Sequence, residues 1–252
     1  MTSAVHRWLI VNADDFGQSA AINRGVIRAH EQGIVTSASL MVRWPAAADA
    51  AAYARAREAL SLGLHVDLGE WFCAAGQWMP RYEVVATSDE AAVAKEIARQ
   101  VDVFRELVGR NPTHLDSHQH VHRDEPVRSV MAQLARTLGV PLRECHPDIR
   151  YCGGFYGQTD EGAPIPGVIS VDGLAGILSD LAPGITELGC HPGEDEPLGD
   201  PGMYRSERLH EVTVLCDPRA KTLLTTLDIQ LRSFQDVYPH ISQAAQHDAA
   251  SA

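Results

Sequence analysis

Residues 8–17 read WLIVNADDFG, a short apolar run that ends abruptly in Asn12, Asp14 and Asp15. Trp8–Val11 is far too short to cross a membrane and reads as a buried strand with polar residues at its carboxyl end. Ser19 then offers an N-cap to a helix reaching about Gln32, with Ile22, Val26 and Ala29 on one face and Gly33 as the stop. The alternation continues along the chain. Ile34–Val42 and Leu62–Val66 read as strands, with the Ala-rich stretch Ala46–Leu60 as a helix between them. Ser88 or Asp89 caps a long helix in which Val93, Ile97, Val101, Phe104 and Val108 recur at helical spacing, ended by Gly109 and Pro112. Further strands are predicted at Thr113–Asp116, Val140–Arg143, Thr186–Cys190 and Ile229–Ser233. Further helices are predicted at Glu125–Leu138, Leu174–Leu181, Ser206–Cys216 and Pro218–Leu224, and the Gly- and Pro-rich Cys152–Gly167 reads as a long loop.

About seven strands, each followed by a helix, specify an α/β fold with parallel strands, as an open doubly wound sheet or a barrel. In either, ligands gather at the carboxyl ends of the strands. The polar clusters obey that rule: Asp14-Asp15, His65-Val66-Asp67, His114 through His122, Arg143 through His146, and His191-Pro192-Gly193 each follow an apolar run.

The chain has 252 residues, 45% hydrophobic and 21% charged, which suits a soluble globular protein and argues against disorder, collagen or coiled coil. With no repeat and no linker-like stretch, residues 1–242 read as one domain and 243–252 as a frayed tail. Acidic residues outnumber basic ones 33 to 21, a net charge of −12, which argues against nucleic acid or an anionic membrane as partner. No apolar run reaches the roughly 20 residues of a transmembrane segment, and the N-terminus makes a poor signal peptide. Five scattered cysteines without a C-x-x-C fit a reducing cytoplasm and exclude a thiolate zinc site.

Adjacent residues leaving a strand point to different sides, so Asp14 and Asp15 can divide two roles, one holding a cation and the other a proton; alternatively one caps the next helix. His65 lies on a predicted central strand as a ligand or a hydrogen-bonded core residue, with Asp67 of the same parity to orient it. Residues 113–122, THLDSHQHVH, place four histidines and Asp116 at even positions. They share one side if extended, whereas a helical turn after Ser117 would bring His118 and His122 together. Imidazole and carboxylate suit Zn, Co, Ni or Fe, against the plainer reading of a solvated His-rich loop. His191, in GCHPG, is a proton donor or a turn residue, and Arg143 a structural ion pair or a catalytic group. No serine-hydrolase elbow, P-loop or dinucleotide fingerprint is present. Cys145 and Cys190 lack a His/Asn partnership and read as packing residues. Together the polar clusters describe a mixed N/O site for one divalent ion with open positions, able to activate water and polarise a carbonyl.

At these residues the chain resembles the YdjC-type carbohydrate deacetylases, which include chitooligosaccharide and hopanoid-biosynthesis-associated deacetylases. LIVNADDFGQSAAINRGVIRAHEQGIVTSASLMV, GLHVDL, PTHLDSHQHVH, CHPG and SERLHEVTVLCDPRAKTLL resemble that family's segments in order and spacing, from Trp8 to Val237. The resemblance implies a distorted (β/α) barrel of the polysaccharide-deacetylase type that removes an N-acetyl group from an amino sugar or oligosaccharide. It implies Asp15, His65 and His118 as ligands of one divalent ion, Mg2+ or Zn2+, and Asp14 as general base toward a metal-bound water. It further implies His191 as an imidazolium that protonates the leaving amine, and Arg143 as the residue that steadies Asp14. On chemistry alone His120 or His122 competes with His118. Gln119 departs from relatives that carry histidine there, and Trp71–Glu83 is a stretch in which relatives differ in length, which leaves substrate choice open. Two rivals remain. One is another single-metal hydrolase acting on a cyclic amide or phosphoester, although only Arg123, Arg128 and Arg143 lie near the His cluster. The other is a non-catalytic carbohydrate-binding module, with Trp44, Trp71, Trp78, Phe155 and Tyr156 in predicted loops but an aromatic content of only 6%. A homo-oligomer is compatible with all of these.

Overall fold

The strand that opens the sequence is also the centre of the molecule. In the computed structural model, which describes residues 6–74, 76–159, 161–194 and 204–238, β1 runs Arg7–Phe16 and is buried from Leu9 onward. The strand continues past its predicted end at Val11 because Asn12, Asp14 and Asp15 find polar partners inside the fold. β8 (Gly184–Cys190) lies along one side of β1. The other side is shared, with β9 (Ile229–Leu231) on its first half and β2 (Ser37–Leu40) on its second. β3 (Ser61–Val66), β6 (Leu115–Ser117) and β7 (Ile149–Cys152) complete a seven-stranded sheet of order β6-β3-β2-β1-β8-β7, with β9 off this path, and every pairing in it is parallel.

The sheet is curled. Strands sit about 4.8 Å apart, so β6 and β8, four places apart, would be roughly 19 Å distant in a flat sheet. Yet Asp116 of β6 and Glu187 of β8 both touch the Arg143 guanidinium, at 2.9 and 2.7 Å. That closeness requires a barrel-like curvature in which inward side chains converge. The sheet stays open between β6 and β7. There the predicted strand Val140–Arg143 contributes only a single bridge at Leu142, held by Leu115 N to Pro141 O and Arg143 N to Leu115 O, both 2.9 Å.

The helices form as their sequences dictate. α1 (Ala20–Glu31) begins where the Ser19 hydroxyl accepts from Ile22 N, and buries Ile22, Val26 and Ala29. α2 (Ala47–Arg55) is shorter than predicted and packs closely through Ala47, Ala50, Ala51 and Ala54. α3 (Glu90–Val108) is capped by Asp89, ends at left-handed Gly109, and buries all five predicted apolar positions. α4 (Val127–Leu138), α5 (Val171–Ser179), α6 (Arg205–Leu215) and α7 (Pro218–Thr226) follow, and α5 starts three residues before its predicted Leu174 because Ser170 caps it. Two features went unpredicted. β4 (Gly69–Ala74) and β5 (Gln77–Glu83) form an antiparallel hairpin off the main sheet, and β5 is exposed along most of its length, so burial leaves no apolar alternation to read. β7 lies on the sheet edge with Arg150 exposed. No helix among the described residues is long and apolar enough to cross a membrane. The tail 243–252 lies outside the described residues.

Gly25 sets where the loop after β8 can lie. A Cβ at this position of α1 would stand 2.4 Å from Gly193 Cα, two residues beyond His191. Gly193 N donates to Arg208 O and Glu194 N to Ala21 O, so the loop has little freedom to retreat. We expect Gly25→Ala to displace it and to destabilise the protein by about 1–3 kcal/mol. Urea unfolding should show a lower midpoint at unchanged slope, and an unchanged midpoint would show that the loop yields freely.

Candidate active site

Asp14 and Asp15 leave β1 where its pairing with β2 slips between Ala13 and Phe16, and Asp15 has φ 62. Regular alternation would send the two to opposite sides. The bulge instead brings both into the barrel interior, each within 4.8 Å of a His65 ring nitrogen. Asp15 Oδ1 lies 3.3 Å from His65 Nε2 and 3.0 Å from His118 Nδ1, while Arg208 Nη2 donates to Asp15 Oδ2 at 2.6 Å. His65 Nδ1 is hydrogen-bonded to Asp116 Oδ1 at 2.8 Å, which turns Nε2 toward Asp15. The carboxylate orienting His65 is therefore Asp116, its direct cross-strand partner, and not Asp67. Asp67 faces away, accepting from Arg43, Trp44 and Tyr82.

The His-rich segment follows neither geometry expected of it. His114 is a core residue: it stacks on Phe234 at 3.8 Å, and any Cβ at position 63 would lie 2.4 Å from its Nε2, hence Gly63. After β6 a 3-10 turn, His118–Arg123, is broken by Gln119 and His120 at φ 50 and 54. That reversal sends His118 to Asp15, but His120 and His122 toward Glu144, at 3.3 and 3.6 Å. Gln119 makes two hydrogen bonds with the Trp71 backbone and so ties the turn to the hairpin.

Arg143 organises the floor. Its Nη1 and Nη2 donate to Asp14 Oδ2 and Oδ1 at 2.6 and 2.7 Å, and it also reaches Asp116 and Glu187. Asn12 adds a bond to Asp14 Oδ1 at 2.8 Å. Burial raises the Asp14 carboxyl, but the Arg143 charge and hydrogen bonds outweigh it and hold the group below the usual carboxylate range. Glu187, less compensated, is pushed by burial to about 7 despite Arg143. His191 Nε2 stands 3.8 Å from Asp14 Oδ2. Burial pushes His191 down to about 4 against the pull of Asp14 and Asp15, so in the ion-free protein it rests as the neutral imidazole, and the imidazolium expected of a proton donor forms only on proton uptake.

The donor set fits a divalent ion. One ion with ligand bonds of about 2.0–2.2 Å spaces its donor atoms about 3 Å apart, the separations seen between Asp15 Oδ1 and the two imidazoles. His65 has the carboxylate partner typical of a ligand histidine. Asp15 has its second oxygen occupied by Arg208, which leaves Oδ1 to the site. These groups lie in a cleft of about 1010 Å³, the size range of small-molecule sites. Trp71, Trp78 and Tyr82 of the hairpin, with Trp44, line one part of it, and Tyr151, Tyr156 and Tyr204 also contribute. Trp71 and Trp78 thus sit on strands, whereas Phe155 lies in a loop as expected and is fully buried there.

Residues 8–226 match the family described as YdjC-like protein. The chain belongs to the YdjC-like family. Among relatives, a carbohydrate deacetylase of Geobacillus stearothermophilus is 31% identical, with 92% of this chain and 98% of the relative aligned. A chitooligosaccharide deacetylase of Serratia marcescens is 32% identical, over 92% of this chain and all of the relative. Among solved structures, a protein of Enterococcus faecalis V583 provisionally named for cellobiose-phosphate cleavage superposes with TM-score 0.76 at 25% identity, covering 92% of this chain and 99% of that one. A family 4 carbohydrate esterase of Streptomyces lividans superposes with TM-score 0.54 at 16% identity, covering 92% and 96%, and shows the shared fold.

For this YdjC-like chain, sequence reasoning assigned no role to two residues of α6. Arg208 holds Asp15, and Glu211 accepts from the His191 backbone N–H and the Tyr204 hydroxyl. Burial raises the Glu211 carboxyl to about 8 against those hydrogen bonds. Their spacing of three puts both on one helix face, a signal available in SERLHEV had a charged pair on a helix been weighed as inward-facing.

Proposed function

We propose that this chain is a metal-dependent hydrolase that removes the N-acetyl group from an amino sugar within an N-acetylglucosamine-containing oligosaccharide or glycoconjugate. The observation that carries the reading is the convergence, at the floor of one cleft, of the Asp15–His65–His118 donors with an Arg-clamped Asp14 and with His191. The names of the full-length relatives point to the same substrate class.

A divalent ion bound by Asp15, His65 and His118 would supply Lewis-acid polarisation of the acyl group and a more acidic water. Asp14, kept ionised and fixed in direction by Arg143, takes the proton of the attacking water. His191 enters neutral, faces Asp14, receives that proton and delivers it to the nitrogen, so that the C–N bond breaks with an amine as leaving group. The products are acetate and the free amino sugar. The aromatic side chains of Trp44, Trp71, Trp78 and Tyr156 offer faces for sugar rings along the cleft. The test is acetate release from N-acetylglucosamine oligomers, read beside hydrolysis of p-nitrophenyl phosphate and of a phosphorylated disaccharide. Turnover of either phosphate substrate without acetate release would replace this reading with a phosphoesterase or a glycosidic cleavage.

Ion binding should be strongly linked to protons. Burial opposes charge on His65 and His118, but Asp116 and Asp15 overcome it, holding the imidazoles at about 10 and about 9 in the ion-free protein. Both are therefore protonated at pH 7, and both must lose that proton to ligate. Apparent affinity should rise with pH by up to ~100-fold per unit below about pH 9, then flatten above about pH 10. Calorimetry of Zn2+ binding in buffers of different ionisation enthalpy should count about two protons released at pH 7. A count near zero would remove these histidines from the ligand set.

A further inference from the structure

The two histidines that the turn diverts from Asp15 carry the same signature as a ligand pair. His122 is 1% exposed; its Nδ1 is hydrogen-bonded to Ser117 Oγ at 2.6 Å, and its Nε2 is buried with no hydrogen-bond partner. His120 repeats the pattern: Nε2 lies 3.3 Å from the Tyr151 hydroxyl, and Nδ1 is buried without a hydrogen bond. Each ring thus spends its outer nitrogen on a hydroxyl that fixes its orientation. Each aims the inner nitrogen at one atom, Glu144 Oε2, at 3.3 Å from His120 and 3.6 Å from His122. All three donor atoms lie within 4.8 Å of one another. Two buried imidazole nitrogens that face one carboxylate oxygen without a well-formed hydrogen bond make a site that a cation would complete.

We propose that His120 Nδ1, His122 Nε2 and Glu144 Oε2 form a second cation site, distinct from the Asp15–His65–His118 centre and suited to a transition ion such as Zn2+ or Co2+. Two imidazoles and a single carboxylate favour such ions over Mg2+, which prefers an oxygen shell. Arg123 does not close the site. Its Nε and Nη2 donate to Glu144 Oε2 and Oε1 at 2.8 and 2.7 Å, but a carboxylate oxygen has two lone pairs, and the half-exposed guanidinium is screened by solvent. Bound there, a cation would tie Glu144, itself at φ 60, to the turn with its left-handed Gln119 and His120, fixing the segment that delivers His118.

The test counts ions. Chelator-stripped protein is dialysed against Zn2+, and bound metal per chain is measured by mass spectrometry for the unaltered protein, His65→Ala, Glu144→Ala, and the double variant. The expected counts are two, one, one and none. Because Glu144 is partly exposed, its replacement should spare the fold, and His120→Ala provides a second, independent loss. A single ion in the unaltered protein that disappears in His65→Ala overturns the proposal, as does an unchanged count of two in both Glu144→Ala and His120→Ala. One ion that survives His65→Ala but not Glu144→Ala would sustain this site while refuting the central one, so the two failures are distinguishable.

Discussion

On the proposed mechanism, Asp14→Asn should lower kcat for acetate release by about 10²–10⁴-fold, the range of general-base catalysis, while the protein stays folded and keeps the ion assigned to Asp15, His65 and His118. The expectation follows from what the substitution removes and what it spares. In the proposed site the ligand oxygen is that of Asp15, so the donor set would be intact. Arg143 keeps Asp116 and Glu187 as partners, so the floor retains compensated charge. Only the oxygen that takes the proton loses its basicity, and KM should change little because no sugar contact is altered. The Arg143 clamp makes Asp14 a weak base, and the clamp is useful for that reason: a carboxylate this buried would otherwise hold a proton at rest. Steady-state kinetics with the metal content measured in parallel decides the matter. Near-normal turnover by metal-loaded Asp14→Asn would place the base elsewhere, and His191 would be the next candidate.

The fold was legible because burial imposes its period on the sequence. Val93, Ile97, Val101, Phe104 and Val108 could have faced nothing but a core, and Trp8–Val11 followed by Asp14-Asp15 marked the end of a strand where ligands gather. The components of the site were legible for the same reason. Their pairings were not, because pairing depends on register and on local backbone reversals. Which carboxylate meets His65 is set by β3 aligning His65 with Asp116, a relation invisible within GLHVDL, where Asp67 looks equally apt. Which histidine meets Asp15 is set by Gln119 and His120 adopting left-handed backbone without a glycine to announce it. Asp14 and Asp15 share the interior through a bulge that alternation does not foresee. Arg208 reaches Asp15 from 193 residues away, a contact only the assembled sheet creates. The hairpin, which walls the cleft with Trp71 and Trp78, is half-buried along β4 and mostly exposed along β5, so it carries no alternating burial signal.

Arg143→Met should destabilise the protein by about 3–5 kcal/mol at neutral pH, the usual consequence of stripping the partner from buried charges. Asp14 and Asp116 are both almost fully buried and both depend on this guanidinium, while Glu187, raised to about 7 by burial even beside it, would be driven higher still. Methionine fills much of the volume, so the loss is electrostatic rather than a cavity effect. The pH dependence separates the two explanations. In the unaltered protein Asp14 and Asp116 lie below their ordinary value of 3.8, so their stabilisation is present above that pH and fades as pH falls through the lower folded values. Without Arg143, Asp116 keeps the His65 charge, but desolvation outweighs what remains at Asp14 and Glu187, whose carboxyls then bind protons more tightly folded than unfolded, so the variant gains stability as pH is lowered from 7 toward 5. The gap between the two proteins should therefore narrow by more than half over that interval in urea unfolding. A gap that stays constant from pH 7.5 to 5 would assign the loss to packing and would remove Arg143 from its place as the counter-charge that keeps Asp14 ionised.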